Sequence, residues 1–341
     1  MKQCYLLSIF CLVLACNSET IQENEPTPLE FPELMELPMG FPAVEFPEGN
    51  EWTQDRWALG KKLFFEPMLS VDTSVSCASC HHPNLAFSDD VAFSLGVEQR
   101  IGTRNAPSLA NVAYHPYFTR EGGVPTLEMQ VFVPIQEHNE FDFNIVLLSE
   151  RLSQDSGYVS MANTAYNRQP DPFVITRALA CFERSLLSGN SAYDQYINGD
   201  VTALSDAVVR GEVLFFSEKT QCATCHSGFN FTNYAFENNG LYEFYPDDGR
   251  FRLTGDEADR ALFKVPSLRN VALSAPYMHD GSMTSLSEVV EHYVRGGANH
   301  PHKNEVIQGF ALTENEKNDL IAFLESLTDE AFVNNPLFRN D

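Results

Sequence analysis

The chain has 341 residues, 43% of them hydrophobic, and carries a formal net charge of -25. Its length allows two domains of ordinary size, and its hydrophobic content is sufficient for a packed core. The excess of acidic side chains argues against nucleic acid as a partner, and against charge-driven binding to an anionic membrane, because like charges repel.

The first segment is typical of a secretory signal. Lys2 precedes an apolar run over residues 5–14, and Ala15 precedes Cys16. This order predicts a lipoprotein signal over residues 1–16, with Cys16 as the lipidated first residue of the mature chain; ordinary cleavage is the alternative. The apolar run is too short to span a bilayer in the mature protein. We therefore expect an exported protein of a Gram-negative bacterium, either periplasmic or anchored to the outer membrane.

The rest of the chain is predicted to be mostly helical. Residues 17–50 are rich in Glu and Pro and predict an extended tether or surface strap, docked in part through Phe31, Phe41 and Phe46. A Thr313/Glu316 capping box predicts the start of the last helix. Periodicity and end signals predict helices over residues 53–65, 127–133, 143–152, 171–187, 205–216, 286–294 and 314–327.

The cysteines outside the signal form no obvious disulfide framework. Cys181 lies alone in an apolar helical stretch, where we expect it to be buried. The other four cysteines form two C-x-x-C-H motifs, Cys77/Cys80/His81 and Cys222/Cys225/His226. Such a motif binds haem through two thiols that add to the vinyl groups and a histidine that binds the iron. A zinc site is the alternative, but it needs four ligands around one ion.

The stretches around the two motifs repeat each other. Residues 59–65 (Leu-Gly-Lys-Lys-Leu-Phe-Phe) correspond to 209–216 (Val-Arg-Gly-Glu-Val-Leu-Phe-Phe), and residues 105–113 correspond to 265–272. We therefore predict two cytochrome c-like domains related by internal duplication, over residues 51–200 and 201–341, each with one covalent c-type haem.

The sixth ligand of each iron decides the function of each haem. A filled site is typical of electron transfer, whereas an open site binds peroxide or oxygen. The residues alone do not choose among the candidates, which are His82, His115, His138, Met278, His279, His292, Tyr293, His300 and His302.

Several longer motifs resemble those of one family. They are residues 63–70 (Leu-Phe-Phe-Glu-Pro-Met-Leu-Ser), 76–81 (Ser-Cys-Ala-Ser-Cys-His), 104–109 (Arg-Asn-Ala-Pro-Ser-Leu), 182–186 (Phe-Glu-Arg-Ser-Leu), 266–271 (Pro-Ser-Leu-Arg-Asn-Val) and 275–281 (Ala-Pro-Tyr-Met-His-Asp-Gly). With these motifs the chain resembles the bacterial di-haem cytochrome c peroxidase superfamily, which includes the MauG enzymes. Finer features, among them Gly-Phe-Pro at 40–42 and Leu-Thr-Asp-Glu-Ala-Phe at 327–332, resemble the MbnH-like group, which oxidises a partner-protein tryptophan with peroxide.

The resemblance implies that the N-terminal haem is the peroxidatic one. Val97 stands where peroxidases of the family carry a loop histidine, which implies an open iron. Glu140 is matched to an acid–base residue that moves a proton between the peroxide oxygens, Gln130 to a hydrogen-bonding partner of peroxide, and Pro134 to a residue that shapes the pocket. A solvated loop carboxylate is the alternative for Glu140.

The resemblance also implies roles near the second haem. Tyr293 is matched to the sixth ligand of that iron, with Met278 as its rival. A calcium ion between the haems is implied, bound by the Asn105 side chain and by the carbonyls of Ser274 and Pro276. Many relatives have a tryptophan relay where this chain has Arg120. Either another aromatic residue, such as Tyr117 or Phe118, takes its place, or the haems exchange electrons without a relay.

Together these features predict a di-haem oxidoreductase. Hydrogen peroxide would react at the first haem, and electrons would come through the second from a small redox protein or from an MbnP-like partner protein. The alternatives are a non-enzymatic di-haem electron-transfer cytochrome and a binding or sensing lipoprotein.

Overall fold

A computed structural model describes Met1 and residues 35–340. The predicted signal, the lipid anchor at Cys16 and the docking of Phe31 lie outside the described residues. Within residues 35–340, no helix combines the length and the apolar character needed to cross a membrane.

The fold is mainly helical, as predicted. The α-helices of the described residues are α1 (Gln54–Phe64), α2 (Leu127–Gln130), α3 (Phe132–Gln136), α4 (Ile145–Leu152), α5 (Ser156–Tyr166), α6 (Pro172–Glu183), α7 (Ala192–Ile197), α8 (Asp206–Phe215), α9 (Phe251–Thr254), α10 (Leu286–Arg295), α11 (Glu314–Glu325) and α12 (Glu330–Val333). Strand β1 (Phe236–Glu237) pairs antiparallel with β2 (Phe263–Lys264). The long connections are built from turns and short 3₁₀ helices.

The helix starts follow from side-chain caps. Thr53 caps α1 by accepting a hydrogen bond from the Arg56 backbone N–H, and Asp171 caps α6, in which Pro172 is the first residue. The predicted capping box at the start of α11 is present, since the Thr313 and Glu316 side chains each accept a bond from the other's backbone N–H. These caps satisfy N–H groups that have no partner inside the helix.

The first hydrophobic core forms where α1 packs on α6. Gly60 allows the close approach, because a Cβ there would lie 2.7 Å from the Ala178 carbonyl carbon and 2.9 Å from the Phe182 Cβ. The Phe64 ring lies 5.1 Å from the Phe182 ring. Cys181, on α6, is fully buried, as predicted.

The second core forms in the same way, where α8 packs on α11. A Cβ at Gly211 would lie 2.6 Å from the Asp319 carbonyl carbon and 2.9 Å from the Phe323 Cβ. The Phe215 ring lies 5.0 Å from the Phe323 ring. In each pair one helix precedes the C-x-x-C-H motif (α1 or α8) and the other follows it (α6 or α11), so the two motifs lie between similar helix pairs.

The chain's C-terminal segment returns to the first core. Phe332 of α12 lies 5.8 Å from the Phe87 ring, and Phe338 lies 6.3 Å from the Phe182 ring. Asp329, which is 2% exposed, accepts bonds from the backbone N–H groups of residues 189 and 190 at 2.9 Å. A division of the chain at residue 200 therefore leaves part of the first core in the second half.

The close approach of each helix pair predicts a large loss of stability for two small substitutions. We expect Gly60→Ala and Gly211→Ala each to lower the free energy of unfolding by about 3 kcal/mol, because the added methyl group overlaps backbone atoms. Ser160→Ala, at an exposed position of α5, is the matched control and should change it by less than about 0.5 kcal/mol. The free energy of unfolding of each holoprotein variant is measured by denaturant titration, with circular dichroism of the helices as the signal.

Candidate functional site

The first C-x-x-C-H motif begins with a 3₁₀ helix, Cys77–Ser79, capped by the Ser76 and Ser79 side chains. The His81 backbone N–H donates to the Cys77 carbonyl at 3.0 Å, which closes a turn over the motif. The His81 Nδ1 lies 2.8 Å from the Phe87 carbonyl oxygen. This contact assigns the ring proton to Nδ1 and leaves Nε2 as a ligand atom.

The second motif has the same geometry. It begins with the 3₁₀ helix Cys222–Thr224, and the His226 backbone N–H donates to the Cys222 carbonyl at 3.0 Å. The His226 Nδ1 lies 3.1 Å from the Phe231 carbonyl oxygen. Burial lowers the pKa of both His81 and His226, so both rings are neutral.

This donor set fits covalent haem. Two thiols and one neutral imidazole per motif are what a c-type haem requires. The zinc alternative is disfavoured, because residues 35–340 contain no cluster of three or more His, Cys, Asp or Glu side chains able to hold a metal ion.

Glu140 lies beside the first motif. The residue as a whole is exposed, but the protein atoms around its carboxyl group desolvate it and, with the charge of Glu137, raise its pKa to about 7. Burial is the main cause of the raised pKa of the Cys77 and Cys80 thiols, and the negative charge of Glu140 contributes to both increases. The structure thus places a carboxyl group that titrates near neutral pH close to the first haem motif.

Gln130 and Pro134 lie on the short helices that precede Glu140. Gln130 ends α2 and Pro134 lies within α3. The Gln130 Oε1 is buried and has no hydrogen-bond partner in the described part of the chain. A buried amide oxygen without a partner is costly, and such an atom points to a polar ligand at this position.

Val97 lies against the backbone of Glu140. Its N–H donates to the Glu140 carbonyl at 2.9 Å, and the side chain is fully buried. Gly96 permits this packing, because a Cβ there would lie 2.6 Å from the Glu140 carbonyl oxygen. The loop of Val97 therefore reaches Glu140 and presents an apolar side chain that binds no metal.

Tyr293 lies beside the second motif, on α10. Burial raises its pKa to about 12, the Cys222 and Cys225 thiols add to the increase, and a hydrogen bond with Asn239 opposes it. The Asn239 side-chain amide also contacts the rival ligand, with its nitrogen 3.2 Å from the Met278 Sδ. The two candidate ligands therefore share one neighbour, Asn239.

Asn105, the predicted calcium ligand, is engaged by a cation from the chain itself. Arg120 Nη2 lies 3.1 Å from the Asn105 Oδ1 and 2.7 Å from the Asn105 carbonyl oxygen. Within residues 35–340, the Ser274 and Pro276 carbonyls accept no hydrogen bond. The predicted set does not fit a calcium ion, because its one side-chain oxygen already faces a guanidinium group.

Aromatic rings connect the first half to the second motif. His115 lies 6.3 Å from Phe118 and 5.3 Å from Tyr234. Asn233, next to Tyr234, donates its backbone N–H to the Cys225 carbonyl at 2.8 Å. Both predicted relay residues therefore connect to Tyr234: Phe118 through the His115 ring, and Tyr117 through a hydrogen bond from its hydroxyl to the Tyr234 carbonyl. Tyr117 also stacks on β1 through Phe236 at 4.9 Å.

Two site residues were missed by sequence reasoning. Asn239 lies in the irregular stretch between β1 and β2, where neither periodicity nor a motif marks it. Glu183 is 6% exposed, and burial raises its pKa to about 8; its charge also adds to the raised pKa of Cys77. Sequence reasoning could have found Glu183, because it is an acidic residue inside the most apolar of the predicted helices.

The comparisons with known proteins agree with this geometry. The family model described as di-haem cytochrome c peroxidase matches residues 54–202. The methylamine utilization protein MauG of Methylorubrum extorquens is 37% identical over 292 residues, covering 84% of this chain and 82% of that protein. The cytochrome-c peroxidase IdrP1 of Pseudomonas sp. strain SCT is 32% identical, covering 88% and 86%.

A solved structure is similar over nearly the whole length. It is the crystal structure of a MauG-like protein associated with microbial copper homeostasis, with a TM-score of 0.84 and 34% sequence identity. The similarity covers 89% of this chain and 98% of that one.

Proposed function

Because the chain belongs to the di-haem cytochrome c peroxidase family and is a peroxidase-type oxidoreductase, we propose that its two haem motifs have different roles. Hydrogen peroxide reacts on the side of the first haem that faces Glu140. Tyr293 would bind the iron of the second haem, and that haem, when bound, would supply the route for electrons from an external reductant. The observation that supports this assignment best is the unequal pair of side chains, an acid near the Cys77 motif and a phenol near the Cys222 motif.

The two halves are proposed to be duplicated cytochrome c domains, and their helices support the unequal roles. Thr126 is the N-cap of α2 and Ser285 is the N-cap of α10. Each lies two residues after a residue of an antiparallel β-bridge, Val124 in the first half and Met283 in the second. The eighth residue after each N-cap is Pro134 in the first half and Tyr293 in the second. Proline has no side-chain donor atom for iron, so the position that supplies a ligand in the second half supplies none in the first.

The first haem, when bound, supplies the iron at which peroxide reacts. Glu140, with a pKa of about 7, accepts a proton from one peroxide oxygen as a carboxylate and returns it to the other as a carboxylic acid. A group with a pKa near the working pH serves both steps. The amide group of Gln130, whose Oε1 lacks a partner within residues 35–340, orients the peroxide by hydrogen bonding.

Tyr293 is proposed as the iron ligand of the second haem. The phenol has to lose its proton to bind iron, and burial alone opposes this loss. Asn239 offsets part of that cost by hydrogen bonding to the phenol oxygen. Its contact with the Met278 sulfur engages the rival ligand and favours tyrosine.

The reductant is proposed to be a protein. The family implies a redox partner. Our first candidate is an MbnP-like protein whose tryptophan is oxidised, which rests on the motifs that resemble the MbnH-like group. A small redox protein that feeds peroxide removal is the second candidate. We place the protein outside the cytoplasm, with the lipid anchor on Cys16 as part of the proposal.

The spin state of the resting ferric holoprotein tests this function against the electron-transfer alternative. We expect one haem to be high-spin and five-coordinate and the other low-spin and six-coordinate, and we expect stoichiometric peroxide to change the optical spectrum within seconds. Electron paramagnetic resonance and stopped-flow spectroscopy measure these properties. Two low-spin haems that do not respond to peroxide would instead establish an electron carrier.

A further inference from the structure

A charged side chain occupies the boundary between the two halves. Arg120 directs its guanidinium at Asn105 through three hydrogen bonds, two to the carbonyl oxygen and one to the Oδ1. In the described residues these are the only hydrogen bonds of its side chain, and none goes to a carboxylate. Within the described residues, the oxygens that hydrogen-bond to the guanidinium are therefore both neutral, and neutral oxygens are also ligands of hard cations in proteins.

Both partners are held in place by the second half of the chain. The Asn105 N–H donates to the His279 carbonyl at 2.9 Å, and the Lys264 N–H donates to the Arg120 carbonyl at 2.7 Å. The Asn105 Nδ2 donates to the Val91 carbonyl at 3.1 Å. Because this bond fixes which side of the amide carries the nitrogen, the Oδ1 faces Arg120.

The guanidinium keeps its charge at this boundary. Burial and nearby Arg104 lower the pKa of Arg120 to about 10, while the charges of Asp280, Glu121 and Asp247 oppose the decrease, so the value stays well above neutral pH. Arg104 itself is neutralised by Asp247 at 2.7 Å and by Glu121. The charged guanidinium of Arg120 thus lies beside Asn105, and the carboxylates of Asp280, Glu121 and Asp247 stabilise its charge without a hydrogen bond to it.

We propose that the Arg120 guanidinium takes the place of the calcium ion that relatives are expected to hold at Asn105, so that this protein joins its two halves without calcium. A calcium ion requires six to eight oxygens at about 2.3–2.6 Å. Here both Asn105 oxygens already accept bonds from a cation, and a second cation at the same oxygens would be repelled. A guanidinium is part of the chain, so chelators cannot remove it.

The metal content of the wild-type holoprotein is the first test. After dialysis against EGTA and then against buffer with 1 µM calcium chloride (about the level at which tight sites fill), we expect elemental analysis to find far less than one calcium per chain. The spectrum of the second haem should be the same before and after EGTA. One tightly held calcium per chain, or a haem spectrum that changes on chelation, would overturn the proposal.

The second test asks whether the stability of the protein comes to depend on calcium when the Arg120 guanidinium is removed. We expect Arg120→Gln to lower the Tm by about 5 °C, because buried Asn105 oxygens lose their donors. Millimolar calcium should restore most of this loss in Arg120→Gln and should leave the wild type unchanged. Arg252→Gln removes an exposed arginine on α9 as the matched control and should respond to neither change.

Two outcomes would contradict the proposal. In the first, calcium raises the Tm of the wild type as much as that of Arg120→Gln; in the second, calcium raises the Tm of neither protein. Neither readout involves peroxide turnover. Failure of the peroxidase assignment therefore leaves these results interpretable, and a calcium-requiring wild type leaves the peroxidase assignment intact.

Discussion

Replacing Glu140 with Gln lowers the rate of the reaction with hydrogen peroxide by about 10²- to 10³-fold, which is the usual contribution of a positioned acid–base group. Gln has nearly the same shape but neither accepts nor returns a proton. The two haems remain attached, because Glu140 contributes no thiol or ligand to them. Stopped-flow measurement of the peroxide reaction in wild type and variant gives the ratio.

The pH profile identifies the proton that Glu140 carries. Its pKa of about 7 lies above the usual carboxyl value, so the group is protonated below neutral pH and cannot accept a proton from peroxide there. The wild-type rate should therefore rise with pH around a midpoint near 7, and this rise should be absent in Glu140→Gln.

Glu137→Gln is the matched control, since it makes the same change three residues away. The charge of Glu137 raises the pKa of Glu140, so its removal should shift the midpoint to lower pH and keep the maximal rate within about threefold. If Glu140→Gln reacts with peroxide as fast as Glu137→Gln does, Glu140 has no acid–base role.

Replacing Tyr293 with Phe should convert the second haem from low-spin and six-coordinate to high-spin and five-coordinate. Phenylalanine keeps the ring that packs beside the Cys222 motif but has no oxygen to bind iron. Reduction of the second haem should become easier, because a phenolate favours the ferric state. Electron paramagnetic resonance should then show two high-spin ferric haems in place of one.

Met278→Leu is the control for the rival ligand. It removes the sulfur near Asn239 and should leave the spectrum of the second haem unchanged. If Met278→Leu alters that spectrum while Tyr293→Phe does not, the ligand is methionine. The peroxide reaction of the first haem should survive both substitutions, which separates this prediction from that for Glu140.

The helices that carry strong end signals could be predicted from the sequence. The predicted helices over residues 53–65, 171–187 and 314–327 are present as α1, α6 and α11, and α11 starts at the predicted Thr313/Glu316 capping box. Helix α5 (Ser156–Tyr166) was not predicted, because its sequence is rich in small and polar residues and buries only a narrow face, at Tyr158, Ala162 and Ala165. Packing against α1 stabilises this helix, whereas local helix propensity alone does not predict it.

The candidate site could be predicted only where chemistry follows local spacing. The two C-x-x-C-H motifs fix thiols and histidine within five residues, and the structure gives both the same local geometry. The contact between Arg120 and Asn105 joins residues of two separate loops, so no local pattern indicates it. Asn239 was missed for the same reason, since its role depends on α10 and on the loop of Met278.

The return of the C-terminal segment to the first core has a consequence for biosynthesis. Residues 330–338 leave the ribosome after both haem-attachment motifs. Because Phe332 and Phe338 complete the packing around Phe87 and Phe182, the first half cannot reach its final packing while the second is still being made. The last residues to be synthesised therefore complete the hydrophobic core that supports the Cys77 motif.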